Sequence, residues 1–257
     1  MRFAQVDVFS ASPYRGNPVA VLLDADHLSE RRMQEIARWT NLSETTFVLA
    51  PTRPEADYRV RIFTPFGELP FAGHPTLGTA HAWREYEGID KPTIIQECAA
   101  GLITVRVGAE LAFAAPPTLR SGPLEPETLA RVRAAIGSDI LDHQWVDNGP
   151  GWAAVQLADP QAVRAVDPDW AVLGDLKLGL VGQYPDGDLE VRALFDGIED
   201  PVTGSLNASV AQWFYRTGKI DRDYTATQGT GRVAVSRAGD QVWIGGATLT
   251  CFVGEAR

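Results

Sequence analysis

One acidic side chain stands out as a candidate for proton transfer. Glu44 lies between Leu42 and Phe47, at the end of a predicted helix and the start of a predicted core strand. Partial loss of water raises the pKa of a carboxyl group towards the range in which it can accept and return a proton. Glu44 is therefore a candidate general acid/base. The alternative is a solvated glutamate in a surface turn, where most glutamates lie.

Two glycine-bearing stretches, residues 73–80 and 199–206, each precede an apolar run with helical spacing. The first turn of a buried helix exposes backbone N–H groups and the positive end of the helix dipole, and a glycine lets a ligand approach the backbone. His74 and Ser205 directly follow these glycines and can hydrogen-bond a substrate oxygen. The alternative is a pair of ordinary strand-to-helix turns, with Ser205 as an N-cap.

Asp200 is the third candidate, and it precedes Pro201 in the second glycine-bearing stretch. Asp before Pro is common in turns, so a structural hydrogen-bonding role is the alternative to a role in binding. Because the two halves of the chain carry one such stretch each, we expect a duplicated fold that holds one ligand between its halves.

Composition narrows the class of protein. The 257 residues include 33 acidic against 23 basic side chains, a formal charge of −10 that disfavours nucleic acid as a partner. Cys98 and Cys251 are too few for a disulfide framework, so we expect two buried reduced thiols and no metal site. The longest apolar runs are too short to cross a bilayer and the first residues read as a strand, which predicts no membrane association and a cytoplasmic location.

The predicted elements repeat once along the chain. Residues 31–40 form an amphipathic helix capped by Ser29, and residues 76–86 a helix buried nearly all round. In the second half, residues 144–152 read as a turn, and residues 159–173 as a helical stretch broken by two prolines. The order of elements then matches that of the first half, which predicts an internal duplication. We place the halves at residues 1–115 and 116–257, and expect the last strand to join the first half.

Several motifs together resemble the PhzF-like proteins, a family named for phenazine biosynthesis that shares the fold of diaminopimelate epimerase. The motifs follow the family's order over nearly the whole chain: Asp7-Val8-Phe9, Gly16-Asn17-Pro18-Val19-Ala20-Val21, Asn41-Leu42-Ser43-Glu44-Thr45-Thr46-Phe47, Gly73-His74-Pro75-Thr76, Asp147-Asn148-Gly149-Pro150, Glu199-Asp200-Pro201-Val202-Thr203-Gly204-Ser205 and Gln228-Gly229. Each motif alone has little specificity, whereas the set is highly specific.

The resemblance implies an α+β fold of two similar halves. Each half is a curved, mostly antiparallel sheet or open barrel around a central helix, with the active site in the cleft between them. It further implies a homodimer, no cofactor, and a small carboxylate-bearing substrate. In the epimerase relatives a pair of cysteines transfers the proton. Here Gly73 and the Thr203-Gly204 region hold those places, and neither cysteine falls in a matching motif.

The resemblance also assigns roles to single residues. Glu44 matches the family's general acid/base, and Asp200 and His74 match residues that hydrogen-bond the polar groups of the substrate. The remaining matches that line the substrate are Gly73, Gly204, Ser205 and Gln228. The chain departs from the family at Asn207, near which a His or Cys is common, and in the short segment after Gln228.

The predicted function is therefore an isomerase that moves a proton on a cyclic or unsaturated metabolite by acid-base catalysis, as PhzF-like dihydro-hydroxyanthranilate isomerases do. Two alternatives stay open at this stage. One is an amino-acid epimerase or racemase, which would use a pair of cysteines. The other is a non-catalytic small-molecule binding protein on the same fold, which the departures at Asn207 and after Gln228 favour.

Overall fold

The computed structural model describes residues 1–257 and divides them into two units. Unit 1 comprises Met1–Ala114 and Gly245–Arg257, and unit 2 comprises Ala115–Ile244. The last strand of the chain thus belongs to unit 1. None of the helices is long and apolar enough to cross a membrane.

The elements follow one another with short connections. Residues 1–114 form β1 (Arg2–Val8), β2 (Asn17–Leu22), α1 (Glu30–Thr40), β3 (Glu44–Leu49), β4 (Tyr58–Phe63), β5 (Glu68–Leu69), α2 (Gly73–Glu87), β6 (Thr93–Cys98), β7 (Gly101–Val107) and β8 (Leu111–Ala114). The following residues form β9 (Arg120–Gly122), α3 (Pro126–Ile136), β10 (Asp142–Asp147), β11 (Ala153–Gln156), α4 (Pro160–Ala165), α5 (Trp170–Leu173), β12 (Leu178–Gln183), β13 (Leu189–Phe195), β14 (Ile198–Asp200), α6 (Gly204–Arg216), β15 (Tyr224–Gln228), β16 (Gly231–Ala238) and β17 (Gln241–Gly246). The chain ends in β18 (Thr248–Glu255).

Unit 1 is a curved sheet around a central helix. β1 pairs antiparallel with β18 and β2, β2 runs parallel to β3, and β3 is antiparallel to β4. β4 pairs antiparallel with β5 and parallel with β6, after which β6, β7 and β8 are antiparallel. α2 contacts β1, β2, β3, β6, β8 and β18, which explains its burial on nearly every face. α1 buries Met33 and Ala37 in a separate cluster with Phe47 and Phe63.

Unit 2 repeats these pairings with α6 as its buried helix. β10 is antiparallel to β11, β11 is parallel to β12, and β12 is antiparallel to β13. β13 then pairs antiparallel with β14 and parallel with β15, and β15 is antiparallel to β16. A second cluster joins the apolar residues of α3 and α4 to β11 and β12. The predicted fold class, two similar α+β halves of mostly antiparallel strands with a central helix each, is confirmed.

The same ion pair precedes the buried helix in both units. Arg61 on β4 donates from Nε to Oε1 of Glu68 on β5, at 2.7 Å. Arg192 on β13 makes the corresponding bond to Glu199 on β14, at 2.9 Å, and each arginine adds a second bond through a terminal nitrogen. Two parallel N–H···O bonds fix the relative orientation of the two strands. The short hairpin that leads into the buried helix is therefore held by an equivalent clamp in each unit.

Three local predictions are corrected by the structure. Residues 144–147 belong to β10 rather than to a turn, because they pair with β9 and β11, and only residues 148–151 turn. Pro160 begins α4 instead of breaking a helix, since the first helical position needs no N–H and the side chain of Asp159 accepts a hydrogen bond from the amide of Ala162. α2 begins at Gly73, three residues earlier than predicted, which places His74 in its first turn.

The two cysteines differ in exposure, so the prediction that both are buried is correct only for Cys98. Cys98 ends β6 and is buried, and burial raises the pKa of its thiol. Cys251 lies on β18 and is half-exposed, because the outer residues of that strand face solvent. Both thiols are free.

A glycine sets how closely α2 approaches the sheet. A Cβ on Gly78 would lie 2.3 Å from Cγ1 of Val19 and 3.1 Å from Cγ2 of Val8, and both valines are fully buried. A branched, buried side chain has little room to yield. Gly78 is therefore required by packing and not by backbone conformation.

We expect Gly78→Ala to destabilise the protein by about 1–3 kcal/mol, although alanine favours a helix over glycine by about 1 kcal/mol. Equilibrium urea unfolding measures the change. Gly254→Ala on β18 is the matched control, because a Cβ there has no heavy atom within 4 Å. Equal stability of Gly78→Ala and wild type would show that the helix can move away from the sheet at no cost.

Candidate active site

A carboxyl group and an imidazole meet in unit 1. Glu44 is the first residue of β3, and His74 is the second residue of α2. Glu44 Oε2 lies 3.3 Å from His74 Nε2, and the two side chains are only 15% and 6% exposed. The left-handed residue Asn41 ends α1 and directs the chain into β3, which delivers Glu44 to this position.

Burial determines the charge of the imidazole. Loss of water lowers the pKa of His74 from 6.5 to about 3, despite an opposing hydrogen bond to the backbone of Pro18. His74 is therefore neutral at physiological pH. Proline has no backbone N–H, so its carbonyl accepts the hydrogen bond and the ring nitrogen that donates it carries the proton. That nitrogen is Nδ1, because Nε2 makes no hydrogen bond of good geometry. Nε2 thus presents a lone pair to Glu44, which can accept a hydrogen bond from the protonated carboxyl group.

The start of α2 is held in place by a buried amide. Gln96 on β6 donates from Nε2 to Oγ1 of Thr76 at 2.9 Å, and its Oε1 accepts from the Tyr58 hydroxyl at 3.0 Å. Thr76 in turn donates to the carbonyl of Ala72, the residue before the helix. Ala72 supplies no capping side chain, and the first turn carries no acidic residue. The first amides of α2 are thus left to a ligand or solvent.

In unit 2, the start of α6 gathers a different set of side chains. Asp200 ends β14, and its Oδ2 accepts a hydrogen bond of 2.5 Å from the hydroxyl of Thr203. Gly204 is the first residue of the helix, as Gly73 is in α2. Asp200 therefore lies one short turn before a buried helix start.

Ser205 is fixed by two neighbours from another part of the chain. Its hydroxyl accepts a hydrogen bond from Trp152 Nε1, and its carbonyl accepts one from Asn148 Nδ2, both at 3.1 Å. The N-cap of α6 is Thr203, so the alternative interpretation of Ser205 as the N-cap is wrong. Ser205 instead lies in the first turn, at the position that His74 occupies in α2.

Gln228 ends β15 and is fully buried. Its Oε1 accepts hydrogen bonds from the backbone N–H of Thr203 and from Asn207 Nδ2, each at 3.0 Å. Its Nε2 donates to the carbonyl of Asp200 at 2.9 Å and to the hydroxyl of Thr203 at 3.0 Å. All of its hydrogen-bonding capacity is used within unit 2.

The structure thus brings the predicted residues together in two groups, one in each unit. Glu44, Gly73 and His74 form the first group, whereas Asp200, Gly204, Ser205 and Gln228 form the second. Sequence reasoning missed Pro18, Trp152, Thr203 and Asn207 as partners of these residues. Thr203 was within reach of that reasoning, because a hydroxyl directly before a helix-starting glycine is a capping pattern. The others come close to these residues only when segments that are distant in the sequence pack together.

The duplication does not extend to the reactive side chains. When the two units are aligned so that Arg61 matches Arg192 and Gly73 matches Gly204, Leu69 occupies the position equivalent to Asp200. The first residue of β3 is Glu44, whereas β12 begins with Leu178 after Lys177. The two units therefore share an arrangement of strands and helix but carry different side chains at these positions. Neither helix start carries a cysteine, since Cys98 ends β6 and Cys251 lies on β18.

Comparison of the sequence with known proteins identifies relatives along most of the chain. It is 36% identical over 290 aligned positions to antisense-enhancing sequence 1 of Schizosaccharomyces pombe, covering 99% of this chain and 98% of that protein. It is 34% identical over 220 positions to trans-2,3-dihydro-3-hydroxyanthranilate isomerase of Pseudomonas aeruginosa, covering 82% of this chain and 78% of that enzyme.

The fold is that of solved members of the same family. The crystal structure of a PhzF-family phenazine biosynthesis protein from Enterococcus faecalis superposes with a TM-score of 0.86, at 27% identity, over all of this chain and 98% of that one. The family model described as phenazine biosynthesis-like protein matches residues 6–241. From the residues at its two helix starts, its fold and these relatives, the chain belongs to the phenazine biosynthesis-like protein family and is an isomerase of the PhzF-like type.

Proposed function

We propose that Glu44 is the general acid/base of a cofactor-independent isomerisation, in which it removes a proton from one carbon of the substrate and returns a proton to another. The observation that carries this proposal is the contact between the half-buried carboxyl group of Glu44 and Nε2 of a neutral, buried His74. A carboxylate removed from most water can accept a proton, and the imidazole lone pair stabilises the acid that results.

The substrate class follows from the relatives and from the two helix starts. The Pseudomonas aeruginosa relative is named for trans-2,3-dihydro-3-hydroxyanthranilate, a cyclic carboxylate. The first turns of α2 and α6 have no side-chain cap and contain no acidic residue of their own, which supports recognition of a substrate carboxylate by their amides. Asp200, His74 and Ser205 are then the hydrogen-bonding partners of its polar groups, beside Gly73 and Gly204. We propose trans-2,3-dihydro-3-hydroxyanthranilate or a close relative of it as the substrate.

The proton transfer can be written with this chain's own groups. Ionised Glu44 takes a proton from a carbon that the substrate's unsaturation has made acidic, and the electrons move into the conjugated system. The protonated carboxyl group then donates its hydrogen bond to His74 Nε2, which is 3.3 Å away. Return of that proton to a different carbon completes the isomerisation and restores the carboxylate, so no net proton is consumed.

The proposal includes a homodimer in the cytoplasm. Its support is an exposed aromatic pair in unit 1, where Phe252 on β18 is 53% exposed and Tyr14, which is 69% exposed, adds a ring 5.9 Å from that of Phe252. Val253 is 68% exposed and lies on the opposite face of the strand, because successive side chains of a strand alternate between faces. Exposed apolar side chains on a strand are typical of a surface covered by another chain.

Glu44→Gln removes the base while keeping the size of the side chain, and we expect it to lower turnover by about 10²–10⁴-fold. The measurement is deuterium incorporation at carbon, followed by NMR in deuterated water with trans-2,3-dihydro-3-hydroxyanthranilate as the probe. Glu35→Gln is the matched control, because Glu35 is paired with arginines on the surface of α1. Full incorporation by Glu44→Gln would overturn the assignment of the base.

His74 makes the protein sensitive to acid. Because its pKa in the folded state is about 3, against 6.5 for the exposed side chain, the unfolded chain binds a proton first as the pH falls. This favours unfolding increasingly between pH 6.5 and 3, and amounts to about 2–3 kcal/mol at pH 4.5.

We therefore expect His74→Gln to lose less stability than wild type between pH 7.5 and 4.5, by about that amount. Urea unfolding at the two pH values measures the difference. The same substitution at His81 serves as a comparison, since burial also lowers the pKa of that histidine. Equal acid sensitivity of wild type and His74→Gln would show that His74 is not held neutral in the folded state.

Phe252→Asp places a charge in the exposed aromatic pair of β18, and we expect it to convert a dimer of the wild type into a monomer. Light scattering coupled to size-exclusion chromatography measures the mass. Leu119→Asp is the control, because Leu119 is an exposed apolar residue of unit 2, 68% exposed against 53% for Phe252. A monomeric wild type would contradict the homodimer, and a dimeric Phe252→Asp would contradict this surface.

A further inference from the structure

The hydrogen bonds around Asp200 form a series in which the donor and the acceptor of each bond are determined. Two backbone groups determine them. The N–H of Thr203 can only donate, so the Gln228 atom that it meets at 3.0 Å is the amide oxygen. The carbonyl of Asp200 can only accept, so the Gln228 atom at 2.9 Å from it is the amide nitrogen. Both backbone contacts therefore give the same orientation of the Gln228 amide.

The orientation of the amide fixes the hydroxyl of Thr203 in turn. Gln228 Nε2 donates to Thr203 Oγ1 at 3.0 Å, so the hydroxyl has to direct its own proton elsewhere. It donates to Asp200 Oδ2 at 2.5 Å, a distance typical of a hydrogen bond to a charged oxygen. Thr203 is thereby a donor to Asp200 and cannot be its acceptor.

Asn207 closes the arrangement from the next turn of α6. Its Nδ2 donates to the carbonyl of Thr203 at 2.9 Å and to Gln228 Oε1 at 3.0 Å, and the side chain is 1% exposed. The residue at which this chain departs from the family's common His or Cys is thus part of the support for Gln228. The departure needs no loss of catalysis to explain it.

We propose that Thr203 and Gln228 are positioning residues that hold the carboxylate of Asp200 as an oriented hydrogen-bond acceptor for the substrate. The proposal rests on the proposed function, and it changes the role of Gln228 from substrate contact to support. With its side chain fully buried and all four hydrogen bonds made within unit 2, Gln228 acts through Thr203. The positions that correspond in unit 1 are Ala72 for Thr203 and Leu69 for Asp200, so this device belongs to unit 2 alone.

Three variants test the role of the Thr203 hydroxyl. Thr203→Val keeps the shape and removes the donor to Asp200, and we expect kcat/KM on trans-2,3-dihydro-3-hydroxyanthranilate to fall about 10–100-fold, as a misplaced catalytic contact does. Thr203→Ser restores the donor and should recover activity to within about threefold of wild type. Thr217→Val at the other end of α6 is the matched control, since that hydroxyl donates to the carbonyl of Trp213. Full activity of Thr203→Val, or no recovery in Thr203→Ser, would overturn the proposal.

Gln228→Glu tests the amide itself. The carboxylate keeps an acceptor for the N–H of Thr203 but loses the donors to Thr203 Oγ1 and to the Asp200 carbonyl. We expect a loss of kcat/KM at least as large as in Thr203→Val, with stability to urea measured in parallel. Wild-type kcat/KM in this variant would contradict the role of Gln228.

A second measurement keeps the positioning role separate from the reaction. In protein labelled with ¹⁵N at glutamine side chains, we expect the amide protons of Gln228 to exchange with solvent at least tenfold more slowly than those of exposed glutamines. Thr203→Val should speed this exchange and Thr217→Val should not. If wild type is inactive on the probe while the amide is protected, the proposed substrate is wrong and the support for Asp200 stands. Fast exchange of the Gln228 amide in wild type would overturn the proposal whatever the activity.

Discussion

Each unit contains a helix that is buried almost completely, and the backbone N–H groups at the start of that helix need hydrogen-bond partners. The first amides of a helix have no partner within it, and burying them without partners costs free energy. Glycine at the first position of α2 and α6 leaves room beside these amides, and a buried glutamine from the following strands fixes the rest of the turn. Gln96 does this in unit 1 through Thr76, and Gln228 does it in unit 2 through Thr203. The positions of the candidate site residues depend on these two braces.

The duplicated frame explains why the two halves can differ in chemistry without differing in fold. Strand pairings and the arginine–glutamate clamps are the same in both units, and these set where the helix begins. Side chains that take no part in these pairings or clamps can therefore differ between the two units. Glu44 lies at the start of one strand in unit 1, and Asp200 lies at the end of a hairpin in unit 2. The shared frame therefore supplies the geometry, and side chains that differ between the units supply the reactive groups.

Much of the fold could be predicted from the sequence where local rules decide. Ser29 caps α1 as the pattern requires, and the apolar runs after residues 73 and 204 are buried helices. β10 was missed because its residues look like part of a turn until they pair with β9 and β11. The contact of Glu44 with His74 spans thirty positions, and that of Gln228 with Thr203 twenty-five. No local pattern reports such contacts, since they form only when the start of a helix packs against a strand that is distant in the sequence.

The charge of His74 decides what Glu44 can do. A protonated imidazole at 3.3 Å would form an ion pair that holds the glutamate as a carboxylate and makes it a weaker base, which disfavours both the removal of a carbon-bound proton and its storage on the carboxyl group. With a pKa of about 3, only about one His74 in ten thousand is protonated at pH 7. The neutral ring instead accepts a hydrogen bond from protonated Glu44. His74 thus stabilises the protonated state of Glu44, and the ionised state acts as the base. A group that takes a proton from one carbon and gives it to another has to be stable in both protonation states. For such a group this balance matters more than strength as a base.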